Sequence, residues 1–292
     1  VRLGRYGLTP LSKLPVRRQS KHSLFASLMF APSICYGAIF GDGNDANGVE
    51  DGRVAAPANL LSAVGTIFCD GGLRGTGTHI DPGLATGHKE RPSIIVTAAH
   101  VLFDANTGAP FSDCSYRPEN KRLRSVPFAQ VSSHAYQPLA QDKMRQSETD
   151  IVFVALQRHL YQDRLPLAQT DNTSGLQLLA YNPSNERIDI SGGCQTYDSV
   201  NFKSKDLLLH NCDAERGSSG GPLLQMKNSD SETQAVGSVI AIHGGTLSSA
   251  GNGVPGAKVQ PEKWINQARK VDRALLLRLQ EFLAYLRKGS AN

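Results

Sequence analysis

From Ser62 onward the chain is a succession of short apolar segments cut by turn residues. The segments are Ser62–Phe68, Thr76–Ile80, Ser93–Ala98, Val126–Ser132, Ile151–Leu156, Leu176–Tyr181, Leu207–His210, Pro222–Met226 and Val236–His243. Each is rich in Val, Ile, Leu or Thr and too short for a good helix, so each is predicted to be a strand. The 28 glycines and 15 prolines supply the punctuation. Many short strands without intervening helical periods argue for an all-β sandwich or barrel and against a βαβ sheet. With 40% hydrophobic and 20% charged residues, the chain can build a core and has no composition of wholesale disorder. The polar stretch 157–175 reads as a connection between two halves.

The tail follows another period. Trp264, Ala268, Val271, Leu275, Leu279, Phe282 and Leu286 recur at steps of three and four, one face of an amphipathic helix. Pro261 and Glu262 suit its start and Gly289 its stop. It is expected to pack on the β body.

The basic net charge of +5 is local to the N-terminus. Residues 1–41 hold six cations and no acid, and the remainder carries 25 basic against 26 acidic residues. A body so close to neutral has no charge-based claim on nucleic acid. Lys21 and His22 precede an uncharged run, Leu24 to Phe40, the layout of a secretory signal with cleavage expected in the Cys35–Gly41 region. An N-terminal anchor or a transit peptide are the alternatives, and membrane contact is expected only through an uncleaved leader. The Gly-, Asn- and Asp-rich stretch Asp42–Asp51 lacks calcium-loop ligands, with Ala46 and Arg53 at ligand positions, and reads as a linker or propeptide. Without Cys35, the remaining cysteines are Cys69, Cys114, Cys194 and Cys212. An even count in an exported chain suggests two disulfides, with three possible connectivities. Cys69–Cys114 with Cys194–Cys212 is favoured, because each pair falls within one half of the chain; four unpaired buried thiols are the alternative. No CxxC supports zinc.

Three segments carry chemistry. In Ile94-Ile95-Val96-Thr97-Ala98-Ala99-His100 a strand runs through small residues into a histidine, which the tight turn can leave in a cleft. In Thr149-Asp150-Ile151-Val152-Phe153-Val154 an aspartate stands at the mouth of an apolar strand, placed to be partly buried as a histidine's partner. In Gly217-Ser218-Ser219-Gly220-Gly221-Pro222 three glycines around two serines make a turn that can present a serine oxygen beside backbone N–H donors.

Together these segments resemble the trypsin-like serine peptidases of the chymotrypsin fold, in that family's His, Asp, Ser order, over roughly Ser62 to Thr246. Leu209-His210-Asn211-Cys212-Asp213 before the serine and Ile242-His243-Gly244-Gly245 after it look like the bacterial branch of V8-type glutamyl endopeptidases. The resemblance implies an all-β fold of two six-stranded antiparallel β-barrels with the active site between them, plus the C-terminal helix. The expected organisation is leader 1–41, linker or propeptide 42–58, first barrel 59–160, second barrel 161–255 and C-terminal helix 256–292. The resemblance also implies a Ser219 nucleophile, a His100 base and an Asp150 orienting group. Gly217 and Ser219 would form the oxyanion hole, and Gly244, Gly245 and Thr246 a substrate-pairing edge. Neither metal nor cofactor is required, the partner is a protein or peptide substrate, and a secreted or periplasmic monomer is expected.

Two departures stand out. Ser218 occupies the place where the trypsin group has an aspartate that pairs with a new N-terminal amine, so any propeptide control needs another route. The roughly 46 residues after Thr246 are too few for the peptide-binding domain found in periplasmic quality-control relatives. Specificity is weakly encoded. His243, with Arg216 at the pocket rim, suits an acidic side chain. Asp213, six residues before Ser219, suits a basic one or a structural role. A catalytically silent relative that binds protein or peptide is the main alternative function. A hydrolase of another fold would need βαβ alternation, which is not found.

Overall fold

A computed structural model of the chain describes residues 38–40, 51–83, 93–119, 123–226, 237–249 and 259–289. Of the expected leader only Ala38–Phe40 falls among them; the signal reading of the earlier residues lies outside the described ones. In chain order the elements are β1 (Arg53–Ala55), α1 (Ala58–Leu61), β2 (Val64–Cys69), β3 (Gly72–Asp81), β4 (Ile94–Thr97), a 3-10 turn (Ala99–Leu102), β5 (Ser115–Pro118) and β6 (Val126–Val131). Then come α2 (Lys143–Glu148), β7 (Val152–Leu156), β8 (Leu165–Pro166), β9 (Leu176–Asn182), β10 (Arg187–Cys194) and β11 (Thr196–Tyr197). The last are β12 (Leu207–His210), β13 (Pro222–Gln225), β14 (Ser238–Ser248), β15 (Trp264–Lys270) and α3 (Arg273–Gly289). Every apolar segment predicted to be a strand falls on one.

The first sheet runs β2-β5-β6-β7-β4-β3, and an extra β2–β3 pairing closes it into a six-stranded antiparallel barrel, with β8 added parallel to β3. The second runs β10-β9-β13-β14-β15-β12 between the short edge strands β1 and β11. β10 passes into β11 after a single residue, and β11 pairs with β12, so one stretch of chain runs along both ends of this sheet, which is closed by no pairing among the described strands.

The unbroken apolar runs of β4 and β7 follow from burial on both faces. Ile95, Val152, Val154 and Leu156 fill the first barrel with Ile67 and Tyr116. Their neighbours Ile94, Val96, Phe153 and Ala155 face outward, against Leu179, Leu224, Val239 and Ile242 of the second sheet. Leu275, Leu279, Phe282 and Leu283 of α3 complete this shared core. Each such side chain contributes about 2 kcal/mol of burial free energy.

The tail differs from expectation. Residues Trp264–Lys270 form a strand, and the helix starts only at Arg273. Every residue from Trp264 to Arg269 is buried, so both faces of this segment are covered and its apolar spacing marks no single face. The start signal is Asp272, whose Oδ1 accepts the Leu275 N–H at 2.8 Å. Glu262 instead clamps a loop, accepting the N–H groups of Val200 and Asn201. The expected linker is also not wholly a connection, because its Arg53–Ala55 pair with Ile190 and its neighbours in β10.

Cys69 is bonded to Cys114, tying β2 to the start of β5. Cys194 is bonded to Cys212, tying the end of β10 to the segment just after β12. The sequence separations are 45 and 18. Replacing both Cys69 and Cys114 by alanine is therefore expected to lower unfolding stability by about 4 kcal/mol, and the shorter loop by about 3 kcal/mol, read from urea midpoints.

Candidate active site

The site is built where the two sheets meet. β4 ends at Thr97, and Ala98 and Ala99, both fully buried, carry the chain into the 3-10 turn that bears His100. Nothing larger than a methyl group fits those positions without displacing the barrel core they pack against. Asp150, 5% exposed, sits one residue before the buried run that becomes β7. Its carboxylate grips His100 twice: Oδ1 accepts the His100 backbone N–H at 2.8 Å and Oδ2 faces Nδ1 at 2.6 Å. A carboxylate facing a ring nitrogen is an acceptor, so Nδ1 carries the proton and Nε2 is left with a free lone pair. Burial opposes the imidazolium, but the charge and hydrogen bond of Asp150 outweigh it and hold the His100 pKa above its ordinary value. Arg278 of α3 donates to the carbonyl of Ile151, bracing the chain next to Asp150.

Ser219 lies in the glycine-rich turn before β13. At Gly220 φ is +88°, and a Cβ there would collide with Thr76 O and Thr97 Oγ1 of the first barrel. The turn is pinned from both sides. Thr76 donates its N–H to Ser219 O at 2.8 Å and its Oγ1 to Gly217 O at 2.8 Å. From the second sheet, the Gly220 N–H donates to His243 O at 2.8 Å, and the His243 N–H to Gly221 O at 2.9 Å. The N–H groups of Gly217 and Ser219 are taken up by no described residue. Ser218 is committed locally, its Oγ accepting the Glu215 N–H at 3.1 Å and its N–H donating to Glu215 O.

His100 and Ser219 line one cleft of about 510 Å³, together with Arg216, Gly217 and Lys143. No hydrogen bond joins the Ser219 hydroxyl to the His100 ring. A larger cavity of about 820 Å³ opens on the first barrel near Phe103 and Phe128, and none of the candidate residues lines it.

The remaining candidates are placed as follows. Arg216 is exposed at the cleft. Beyond Ile242, β14 pairs with β15 on one edge and with no described strand on the other, which leaves Gly244–Thr246 at a free edge. Gly244 lies against Asp150: a Cβ there would stand 3.2 Å from Asp150 Oδ2 and collide with Gln267 Nε2. His243 is fully buried, and its Nδ1 lies 3.2 Å from His210 Nε2. The Cys212 N–H donates to His210 Nδ1 at 3.2 Å, so His210 carries its proton on Nε2, facing His243. His243 then keeps its own proton on Nε2, an atom with no partner in the described structure. Burial, then the neighbouring His210 and His100, hold His243 well below the usual histidine range, and burial takes His210 to about 3. Asp213 does not face an open pocket: its oxygens accept the N–H groups of Phe40 at 2.8 Å and Gly52 at 3.0 Å.

Thr76, which pins the Ser219 turn, His210, which faces His243, and Asn266 of β15, whose Oδ1 accepts the Thr246 hydroxyl at 2.6 Å, were given no separate role by the sequence. His210 and Thr76 lie within motifs noted above, whereas Asn266 is hidden in the segment read as helix. Among the described residues no cluster of three His, Cys, Asp or Glu has the arrangement to hold a metal ion.

A closed six-stranded antiparallel barrel and a second antiparallel sheet of eight strands, with a His–Asp pair at the first and a Gly-Ser turn at the second, define the class of chymotrypsin-type serine peptidase folds. A family profile described as trypsin-like peptidase domain matches residues 75–237, just over half of the chain, and the chain belongs to that family. Among solved structures, a Glu endopeptidase in complex with MPD matches with a TM-score of 0.56 at 16% identity, covering 80% of this chain and 98% of that one. Neuropsin, a serine protease expressed in the limbic system of mouse brain, matches with a TM-score of 0.54 at 14% identity, covering 79% of this chain and 98% of that one. A thermostable serine protease from an extremophilic microorganism matches with a TM-score of 0.52 at 14% identity, covering 76% of this chain and 96% of its own. At such identities the likeness is one of fold. No curated protein matches the chain significantly.

Proposed function

We propose that the chain is an exported serine endopeptidase working through Ser219, His100 and Asp150. The observation that carries this reading is the double grip of one buried carboxylate on His100, at a cleft that Ser219 also lines. Ser219 Oγ attacks the scissile carbonyl while His100 Nε2 takes its proton, then returns it to the leaving amine. Water, activated by the same nitrogen, hydrolyses the acyl-enzyme. Asp150 keeps Nδ1 protonated and stabilises the imidazolium. The free N–H groups of Gly217 and Ser219 receive the oxyanion, each worth about 3–4 kcal/mol of transition-state stabilisation. The free β14 edge at Gly244–Thr246 pairs with the substrate main chain. Export is supported by the two disulfides, which persist in oxidising compartments.

The preferred residue before the scissile bond is acidic. His243 is neutral at pH 7 and holds a buried N–H without an acceptor, which a substrate carboxylate would supply. Arg216 adds a cation at the cleft. The Asp213 carboxylate is already occupied by two backbone donors and so is not poised for a lysine or arginine. His243→Ala is expected to lower kcat/KM for a substrate with Glu at that position by about 10²-fold, and to change it little for a Leu substrate. Equal losses on both would remove His243 from the specificity assignment.

A second reading, a silent relative that binds peptide, draws on the missing bond between Ser219 and His100. In free enzymes this bond is often long and closes on substrate. Profiling cleavage of a peptide library separates the readings: cuts after Glu or Asp support the proposal, cuts confined to Lys and Arg reject the acidic preference, and binding without any cut favours the silent protein.

A further inference from the structure

The cleft that holds His100 and Ser219 is unevenly charged. Besides Arg216 it is lined by two further cations, Lys143 and Arg74, and among the described residues by one acid, Asp104. Asp104 is committed to its own turn, its Oδ1 accepting the N–H groups of Asn106 at 3.0 Å and Thr107 at 2.8 Å and the Thr107 hydroxyl at 2.9 Å. Neither Lys143 nor Arg74 forms an ion pair with a described acid.

Neutral groups hold both cations in place. Lys143 Nζ donates to Gln146 Oε1 at 3.1 Å. Gln146, 8% exposed, is fixed in turn, its Nε2 donating to the carbonyls of Gln137 at 2.9 Å and Pro138 at 2.7 Å. A buried amide used up in this way orients the ammonium at the cleft without cancelling its charge. Asp142, next in the chain, turns its Oδ1 to the Arg145 N–H as the cap of α2. Arg74 is stacked, with Cζ 3.7 Å from the centroid of the Phe111 ring, and its Nε donates to Cys69 O at 3.2 Å. The two cations belong to different walls. Met144, beside Lys143, packs against the cluster of Leu247 in β14 and Trp264 in β15, so Lys143 stands on the side of the β14 edge. Arg74 belongs to β3, which pairs with β2, β4 and β8. Two residues on, Thr76 pins the carbonyls of Ser219 and Gly217.

We propose that this cleft selects acidic polypeptide segments, with Lys143 receiving a carboxylate a few residues before the scissile bond and Arg74 one just after it. This deepens the peptidase reading and rests on it, but it is separate from the residue directly before the bond, which His243 and Arg216 address. A substrate carboxylate at either place gains a cation that no resident acid has to release. Both side chains are already held at the cleft, so less freedom is lost on binding. A basic side chain at the same places meets like charge with nothing to offset it. The cleft is open to water, so each contact changes kcat/KM by a few-fold and weakens with salt.

The test uses the full chain and peptides that share whichever residue the library profile places before the scissile bond, so its outcome does not depend on His243. Glu and Gln, alike in shape and different in charge, are exchanged one at a time at the second, third and fourth positions before the bond and at the first and second after it. In the parent, Glu is expected to raise kcat/KM over Gln by about fivefold at one or more positions on each side, carried mainly by KM, with the ratio shrinking toward one at high salt. Lys143→Gln should abolish the upstream preference, and Lys143→Glu should turn it toward Lys. Arg74→Gln should abolish the downstream preference, and Arg74→Lys, which keeps a charge, should retain most of it. Cooperative unfolding and fluorophosphonate labelling at Ser219 show that each variant still assembles the site. Variants that fold and label but keep the parent's ratio on their own side, or a parent that does not tell Glu from Gln, overturn the inference and leave the peptidase reading standing. If no form labels or cleaves, the peptidase reading itself fails and takes this inference with it.

Discussion

Ser219→Ala is expected to lower kcat by about 10⁶-fold while leaving the thermal midpoint within a degree or two of the parent. The hydroxyl has no hydrogen-bond partner among the described residues, so its loss removes the nucleophile without loosening the turn. The Ser219 carbonyl, which accepts the Thr76 N–H, and the neighbouring Gly220 N–H, which donates to His243 O, are untouched by the change. The residual rate should still exceed that in water, because the Gly217 and Ser219 N–H groups and the β14 edge remain. His100→Ala should cost a comparable factor, and the double variant little more than either single one, since the two groups act as a unit. Near-normal turnover in Ser219→Ala would place the nucleophile elsewhere.

Asp150→Asn should lower kcat by about 10⁴-fold. The carboxylate accepts two N–H groups of His100 through two different oxygens. An amide can accept only one of them, and its NH₂ group would face the other. If that group faces the ring, His100 is forced to accept at Nδ1 and to carry its proton on Nε2, where it can no longer receive the serine proton. The pH profile gives an independent readout. Catalysis requires neutral His100, so kcat/KM of the parent rises with pH through an apparent pKa above the unperturbed ~6.5. With the Asp150 charge removed, burial alone acts and the midpoint moves below that of the parent. The same shift fixes the linked stability. His100 is raised in the folded state, so its contribution is fully present below the unfolded pKa and is lost as pH climbs through the folded one. A midpoint that does not move in Asp150→Asn would detach the aspartate from His100 in solution.

Much of this was readable in the chain. The apolar runs of β4 and β7 are strong signals because they are buried on both faces, and β13 follows directly on the glycines of the Ser219 turn. The three chemical segments are local in sequence, so each could be seen before their meeting in space could. What escaped has physical reasons. The alternation of Arg187, Ile188, Asp189, Ile190 and Ser191 is a strand signal, but Asp189 sits among Asn182, Asn185 and Arg187, and a buried polar network looks like a loop in sequence. In β15, apolar and polar residues are buried alike, and their spacing happens to continue the helix period of α3. That coincidence concealed Asn266. The pairing of His243 with His210 and the seat of Ala38 on Asn266 depend on contacts between residues 33 and 228 positions apart, which no local pattern encodes.

The central claim is that the hydroxyl at position 219 is activated by His100. Reacting the parent protein with a fluorophosphonate and mapping the adduct by peptide mass spectrometry tests it most directly. The account predicts a single stoichiometric adduct on Ser219, formed with the pH dependence of His100 and slowed by several orders of magnitude in His100→Ala. No adduct, an adduct on another residue, or one that forms equally fast without His100 would contradict it.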